Sequence, residues 1–179
     1  LDLAKTVDVF ISNIRPQALD RLGLGYSDLK KVNDKIIYIS CTGFGLDGPY
    51  SDKPAYDDLI QGITGVPWLM QEHGVHEPRY APTTLGDRVT GLHSVYAVTS
   101  ALYAREKTGK GQHVTVPMFE SIAQFILGDH LGGESFIPSI GKSGYARLLS
   151  PYRKPYATRD GYICILIYND KHWKSFFEA

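Results

Sequence analysis

Two short runs of this chain are apolar at consecutive positions rather than at alternate ones. They are VDVFIS (Val7 to Ser12) and KIIYISCTG (Lys35 to Gly43). A strand with one wet face alternates, whereas a strand covered on both faces reads as a continuous, β-branched apolar run. Helical signals fill the chain between and after the two runs. Gln17 to Leu22 is a short helix, Ser27 stands as the cap of DLKKVN, and Tyr56 to Thr64 follows Pro54. The longest signal follows Asp87, with Val89, Leu92, Val95, Tyr96, Val98, Thr99, Leu102 and Tyr103 as an apolar stripe ending at Gly109. HVTVPM adds a strand and FESIAQFILGDHL another helix. Alternating strands and helices predict an α/β layer fold, with the first two runs as inner strands of a largely parallel sheet.

Domain organisation follows from a composition shift. Residues 1–131 carry the α/β pattern, and 132–150 turn to Gly, Ser and isolated apolar residues, the reading of a linker. Residues 151–179 read as a hairpin turning at Asp160-Gly161, with YICILIY as its second strand, followed by an amphipathic helix from Asp170. The chain lacks an initial Met, and its last helix stops within about three turns. Both features predict a piece of a longer protein.

Charge and cysteine content narrow the function classes. Nineteen Lys plus Arg balance nineteen Asp plus Glu, so the basic excess of a nucleic-acid or anionic-membrane binder is missing. No apolar run reaches the roughly 20 residues that span a bilayer. Two cysteines, Cys41 and Cys164, make no disulfide scaffold and fit a reducing, cytoplasmic setting. Both lie in apolar strand runs and are expected to be buried and inert.

Several segments carry chemical signals. GFGLDG (Gly43 to Gly48) matches GxGxxG after a strand, but PYSDKP follows and cannot open the helix a dinucleotide site needs. It reads as a tight turn. His73 and His76 sit in a polar loop with no rigid element to fix a metal. Asp87, in LGDRVTG, stands between a Gly and the longest helix, in an N-cap position. There it is either a plain cap or a carboxylate oriented by the helix dipole. Asn13, Arg15 and Arg21 cluster after the first strand, where open α/β sheets bind ligands and Arg suits phosphate oxygens.

Taken in order, VDVFISNIRPQALDRLGLGY, IIYISCTGFGLDGPY, KPAYDDLIQGITG and LGDRVTGLHSVYAVTSALYAREKTGKGQHVTVPMFESI resemble the class III CoA-transferases. These are the enzymes of the formyl-CoA transferase and carnitine CoA-transferase type. The match is good from Val7 to Ile122 and looser beyond. It implies a Rossmann-like large domain, the start of a smaller α+β domain, and two subunits threaded through one another as interlocked rings. It further implies Asp87 as nucleophile, and Asn13, Arg15, Arg21, Lys53 and Tyr56 at the CoA and acyl site. CoA is then a co-substrate and no metal or resident cofactor is involved; the partners are an acyl-CoA and a carboxylic acid. Gly141 and Gly144 lie in the region where the family's glycine-rich active-site loop would fall, without a clear match to it.

Two alternatives stay open on residues alone. One is an acyl-CoA racemase of the same superfamily, which carries His immediately before the Asp of the YDDLIQ-like helix. Here that position is Tyr56, and a phenol of reference pKa about 10 is a poor base at neutral pH. The other is a non-catalytic CoA-binding fragment.

Overall fold

Strand β2 (Ile37–Thr42) runs through the centre of the computed structural model, which describes residues 1–179. It pairs in parallel with β1 (Val9–Ser12) and, on its other side, with β3 (Gln112–Pro117). Ser40 stands opposite Ser12 on one flank and Thr115 on the other. Residues Ile36 to Ile39 are at most 2% exposed, which accounts for the unbroken apolar run. The α/β class and parallel sheet agree with the sequence reading. The position of β1 does not: in this chain it is an edge strand, and Ile11 is half exposed.

Two packed layers cover β2. Ile36 and Tyr38 meet Leu19 of α1 (Pro16–Arg21) and Leu29 of α2 (Tyr26–Val32). Ile37 and Ile39 meet Ala101 of α5 (Leu85–Thr108) together with Val116. Below the strand ends, Phe44, Ile60 of α3 (Asp57–Ile63), Val89 and Ile122 of α6 (Met118–His130) form a third cluster. Helix α4 (Val66–Glu72) follows α3 directly.

The expected apolar stripe of α5 holds only in part: Val89 is buried, and Val98 and Leu102 pack against the Ile37 and Ile39 cluster. The buried residues of the helix are Gly86, Val89, Thr90, Ser94 and Ala101, while Leu92, Val95, Tyr96 and Tyr103 are exposed. Small side chains let the helix lie close to β2, and their hydroxyls are satisfied within the helix. Thr90 Oγ1 donates to the Gly86 carbonyl at 2.7 Å and Ser94 Oγ to that of Thr90 at 2.9 Å. At the far end, Gly109 takes the left-handed conformation (φ +71°) and returns its N–H to Arg105. Arg105 ties the helix to the sheet through Asp8 Oδ1 at 2.8 Å and the Lys35 carbonyl at 3.1 Å.

One polar contact on the α1/α2 side is sensitive to pH. His113 Nε2 lies 2.8 Å from Ser40 Oγ, and its ring stacks on Tyr26 and meets Tyr38 edge-on. Desolvation by burial lowers the pKa of this imidazole below its ordinary value of 6.5. The folded chain thus favours neutral His113, and the unfolded chain takes up the proton first as pH falls. The resulting stabilisation is complete above about pH 6.5 and is lost as pH drops through the folded value. Thermal melts should show wild type losing more Tm than His113→Gln between pH 7.5 and 5. Parallel losses would show that His113 contributes nothing to the pH dependence.

The 132–150 stretch is more ordered than a plain linker. Gly133 N–H reaches the Lys142 carbonyl at 3.2 Å, and Gly144 N–H reaches that of His130 at 2.7 Å, closing a compact loop. Beyond it, β4 (Tyr156–Ala157) and β5 (Tyr162–Ile163) form an antiparallel hairpin shorter than the YICILIY run predicts. The final helix, α7 (Asp170–Glu178), is capped by Asn169, whose Oδ1 accepts from His172 N–H at 3.0 Å. Cys164 in this region is exposed, which corrects the expectation of a buried thiol. The hairpin adds no layer to the three-stranded sheet, so nothing covers the thiol. No helix of the chain is long and apolar enough to cross a membrane.

Candidate active site

The parallel strands β1 and β2 end at the same rim, and the residues that follow them build the site. After β1, Ile14 N–H bonds Ser12 Oγ at 3.1 Å, turning the chain at Asn13. Arg15 is extended, as a residue before proline must be, and Pro16 opens α1 without a missing donor. Arg15 thus precedes α1 and Arg21 closes it, about 9 Å apart at 1.5 Å per residue. Buried Leu19 pins the helix between them.

After β2 the Gly-rich segment is a clamped turn, as read from the sequence. Phe44 is buried as its anchor, and Gly45 N–H donates to Glu120 Oε1 at 2.8 Å. Gly43 leaves room for Ala55, whose side chain occupies the place of any Cβ there. The chain then returns through turns rather than a helix, and Gln17 Nε2 holds Asp52 Oδ1 at 2.9 Å. That contact ties α1 to the loop carrying Lys53. Tyr56 ends the loop in extended backbone and is 73% exposed.

Asp87 does not occupy the N-cap. Helix α5 begins two residues earlier at Leu85, and its N-cap, Thr84, makes no side-chain cap bond. The cap comes from another helix: Asp57 Oδ1 accepts the Asp87 N–H at 3.0 Å. This contact spans 30 residues, so no local capping pattern could signal it. Gly86 is buried against it, because a Cβ there would lie 3.0 Å from Asp57 Oδ1 and 3.1 Å from Met118 Sδ. The Asp87 carboxylate is in the first turn of a 24-residue helix, exposed, with no ion pair in the chain. The helix dipole favours a negative charge there.

Asn13, Arg15, Arg21, Lys53, Tyr56 and Asp87 all line one open cleft of about 1640 Å³. Arg15, Arg21 and Lys53 are without ion-pair partners in the chain, and they share the cleft with the carboxylates of Asp20, Asp52, Asp57 and, at the start of α5, Asp87. Such a combination can grip a polyanionic ligand and present a nucleophilic oxygen to it. Cys41, expected buried, is half-buried in the cleft wall with Sγ 3.3 Å from Ser94 Oγ. It packs under α5 beside the Ile37 and Ile39 cluster, with its other side open to the cleft. Gly141 and Gly144 do not line the cleft. No three His, Cys, Asp or Glu side chains gather in a way that could hold a metal, and His73 and His76 stay in their loop.

The model of CoA-transferase family III matches residues 1–179. The chain belongs to CoA-transferase family III. Among its relatives, the acetyl-CoA:oxalate CoA-transferase of Acetobacter aceti is 39% identical over 126 residues, covering 70% of this chain and 32% of the relative. The succinate–glutarate CoA-transferase of Agrobacterium fabrum is 32% identical over 173 residues, covering 96% and 43%. A crystal structure of a CAIB/BAIF family protein from Brucella suis superposes with TM-score 0.75 at 36% identity, covering 89% of this chain and 42% of that one. This member of CoA-transferase family III therefore spans less than half the length of those relatives.

Proposed function

We propose that this chain is the nucleophile-bearing part of an enzyme that moves CoA from an acyl-CoA thioester to a free carboxylic acid. One observation carries the reading. A carboxylate without an ion-pair partner at the start of α5 shares a cleft with the unpaired guanidinium groups at the two ends of α1. Arg15, Arg21 and Asn13 bind the phosphate-bearing end of CoA, Lys53 and Tyr56 meet the thioester and acyl oxygens, and Asp87 attacks. The 151–179 segment begins a second, smaller domain, with 132–150 as its connection. The full-length protein is a cytoplasmic homodimer of interlocked subunits.

In the proposed reaction an Asp87 oxygen adds to the thioester carbonyl carbon, and the C–S bond breaks to release CoA thiolate. The product is an aspartyl–acyl anhydride. The thiolate attacks the aspartyl carbon, freeing the donor acid as its carboxylate and leaving an aspartyl-CoA thioester. The acceptor carboxylate displaces CoA to form a second anhydride, and the thiolate then takes the acceptor acyl group, restoring Asp87. Charge is conserved at each step. The first step exchanges a carboxylate for a more basic thiolate, a gap of about 4.6 pKa units or roughly 6 kcal/mol. Holding the thioester aligned can offset roughly 7 to 11 kcal/mol of barrier, so tight CoA binding is integral to the chemistry.

Tyr56 supports transfer over racemisation, because the racemase needs a second acid–base group where this phenol stands. Full-length protein incubated with a 2-methylacyl-CoA in deuterated water, with and without an acceptor acid, should pass CoA to the acid without deuterium at the α-carbon. Rapid α-deuteration with no CoA passed on would replace this reading with the racemase.

A further inference from the structure

Gln61 is the one fully buried polar side chain beneath the cleft, and the transfer chemistry makes no use of it. Its carboxamide is fully engaged. Oε1 accepts the Ala81 N–H at 2.8 Å, while Nε2 donates to Asp57 Oδ2 at 2.6 Å and to the Thr83 carbonyl at 3.2 Å. The Ala81 N–H needs an acceptor and both other partners need a donor, so the amide has a single satisfactory orientation. Asp57 is thereby held at one oxygen by Gln61, and with the other it holds the N–H of Asp87. Gln61 also grips two points of the segment that leads into α5. The first turn of α5 is thus fixed from both sides by one amide.

We infer that Gln61 is a positioning residue: through Asp57 and the 81–83 segment it sets where Asp87 stands in the cleft. It does not line the cleft itself. This inference rests on the proposed role of Asp87 as nucleophile. A second, independent observation favours a positional device over a simple helix cap. Gly86 sits where even a methyl group would crowd Asp57 Oδ1 at 3.0 Å, so the Asp57 carboxylate and the turn are packed to a single arrangement. Displacing a reacting group by about 1 Å can cost about 100-fold in rate.

The hydrogen-bond polarity of the relay permits a swap. In Gln61→Glu, a carboxylate faces the Asp57 carboxylate and neither can donate. In Asp57→Asn, an amide oxygen kept on the Asp87 N–H turns the amide nitrogen toward the donor of Gln61. Combining the two substitutions restores complementarity. The amide now at position 57 accepts from the Asp87 N–H and donates to the carboxylate now at position 61, which still accepts from the Ala81 N–H. The contact to the Thr83 carbonyl, the longest of the three at 3.2 Å, is lost, and two acceptors face each other there, so the regain is incomplete. In the full-length protein, each single variant should lower kcat about 100-fold with little change in KM for the acyl-CoA. The double variant should regain most of that loss. Hydrogen exchange at the Asp87 amide should quicken in each single variant and slow again in the double, a readout independent of any activity.

A double variant whose kcat loss is the product of the two single losses would overturn the relay. So would wild-type kcat in either single, or unchanged Asp87 exchange in Gln61→Glu. If a single variant fails to fold, a folded and active double supports the relay, and an inactive or unfolded double overturns it. If wild-type protein transfers no CoA between any thioester and acid, the proposed function fails instead, while the exchange experiment still decides the relay.

Discussion

Replacing Asp87 by Ala in the full-length protein is expected to remove CoA transfer while leaving the fold intact. The loss should be on the order of 10⁴- to 10⁶-fold, the scale seen when residues acting as a covalent catalytic unit are removed. Stability should barely change, for a reason visible in the geometry. The carboxylate is exposed and caps nothing, since the cap bond uses the Asp87 backbone N–H and the Asp57 carboxylate. Only its favourable interaction with the helix dipole is lost, about 0.3 to 1 kcal/mol. Asp57→Ala should behave in the opposite sense for stability, because it removes the acceptor on which the first turn of α5 and Gln61 both depend. Chemical trapping supplies the positive evidence. Hydroxylamine added during turnover should convert the activated aspartyl group to a hydroxamate, and peptide mass analysis should find it at Asp87. An Asp87→Ala protein that still transfers CoA at a comparable rate would end the assignment.

What can be read from the residues divides along a physical line. β2 is legible because burial on both faces writes itself into four consecutive apolar positions, Ile36 to Ile39. The Gly43 to Gly48 turn is legible because a proline and polar residues follow it where a phosphate-binding helix would have to start. The buried face of α5 is legible only in part, at Val89, Val98 and Leu102. Apolar residue type marks hydrophobicity, but close packing on a sheet selects small size; Gly86, Thr90 and Ser94 satisfy that need, the last two with hydroxyls turned back on the helix. Asp57 and Gln61 cannot be singled out. In sequence they are an acidic residue in a first turn and a polar residue one turn later, an ordinary pair on a solvated helix. Their meaning comes from Ala81, Thr83 and Asp87 arriving from elsewhere. The edge position of β1 and the exposure of Cys164 escape for a related cause. An apolar run records that a strand prefers cover, not which element supplies it.

Of the six candidate residues in the cleft, Asn13, Arg15, Arg21 and Asp87 stand out by their place after a strand or at a helix start, whereas Lys53 and Tyr56 come from the family resemblance. The chemistry of the six leads to a second large effect. Arg15→Ala combined with Arg21→Ala should raise KM for the acyl-CoA steeply while changing kcat much less. A hydrogen bond to a charged group contributes about 1.5 to 3 kcal/mol, so two such losses predict a KM increase of roughly 150- to 20,000-fold. Arg15 and Arg21 flank α1, with about 9 Å of helix rise between their backbones. CoA carries a diphosphate and a separate ribose phosphate, so each Arg can serve a different group. Dephospho-CoA thioesters, which lack the ribose phosphate, then sort them. One single variant should discriminate poorly between the CoA and dephospho-CoA thioesters, having already lost that contact, and the other should discriminate as wild type does. Raising salt should weaken binding to wild type more than to the double variant, because the screened attraction is the one removed. If the double variant binds acyl-CoA as wild type does, α1 is not the phosphate-binding side of the cleft. The cation at Lys53, on the loop that Gln17 and Asp52 fasten to α1, would then be the next residue to test.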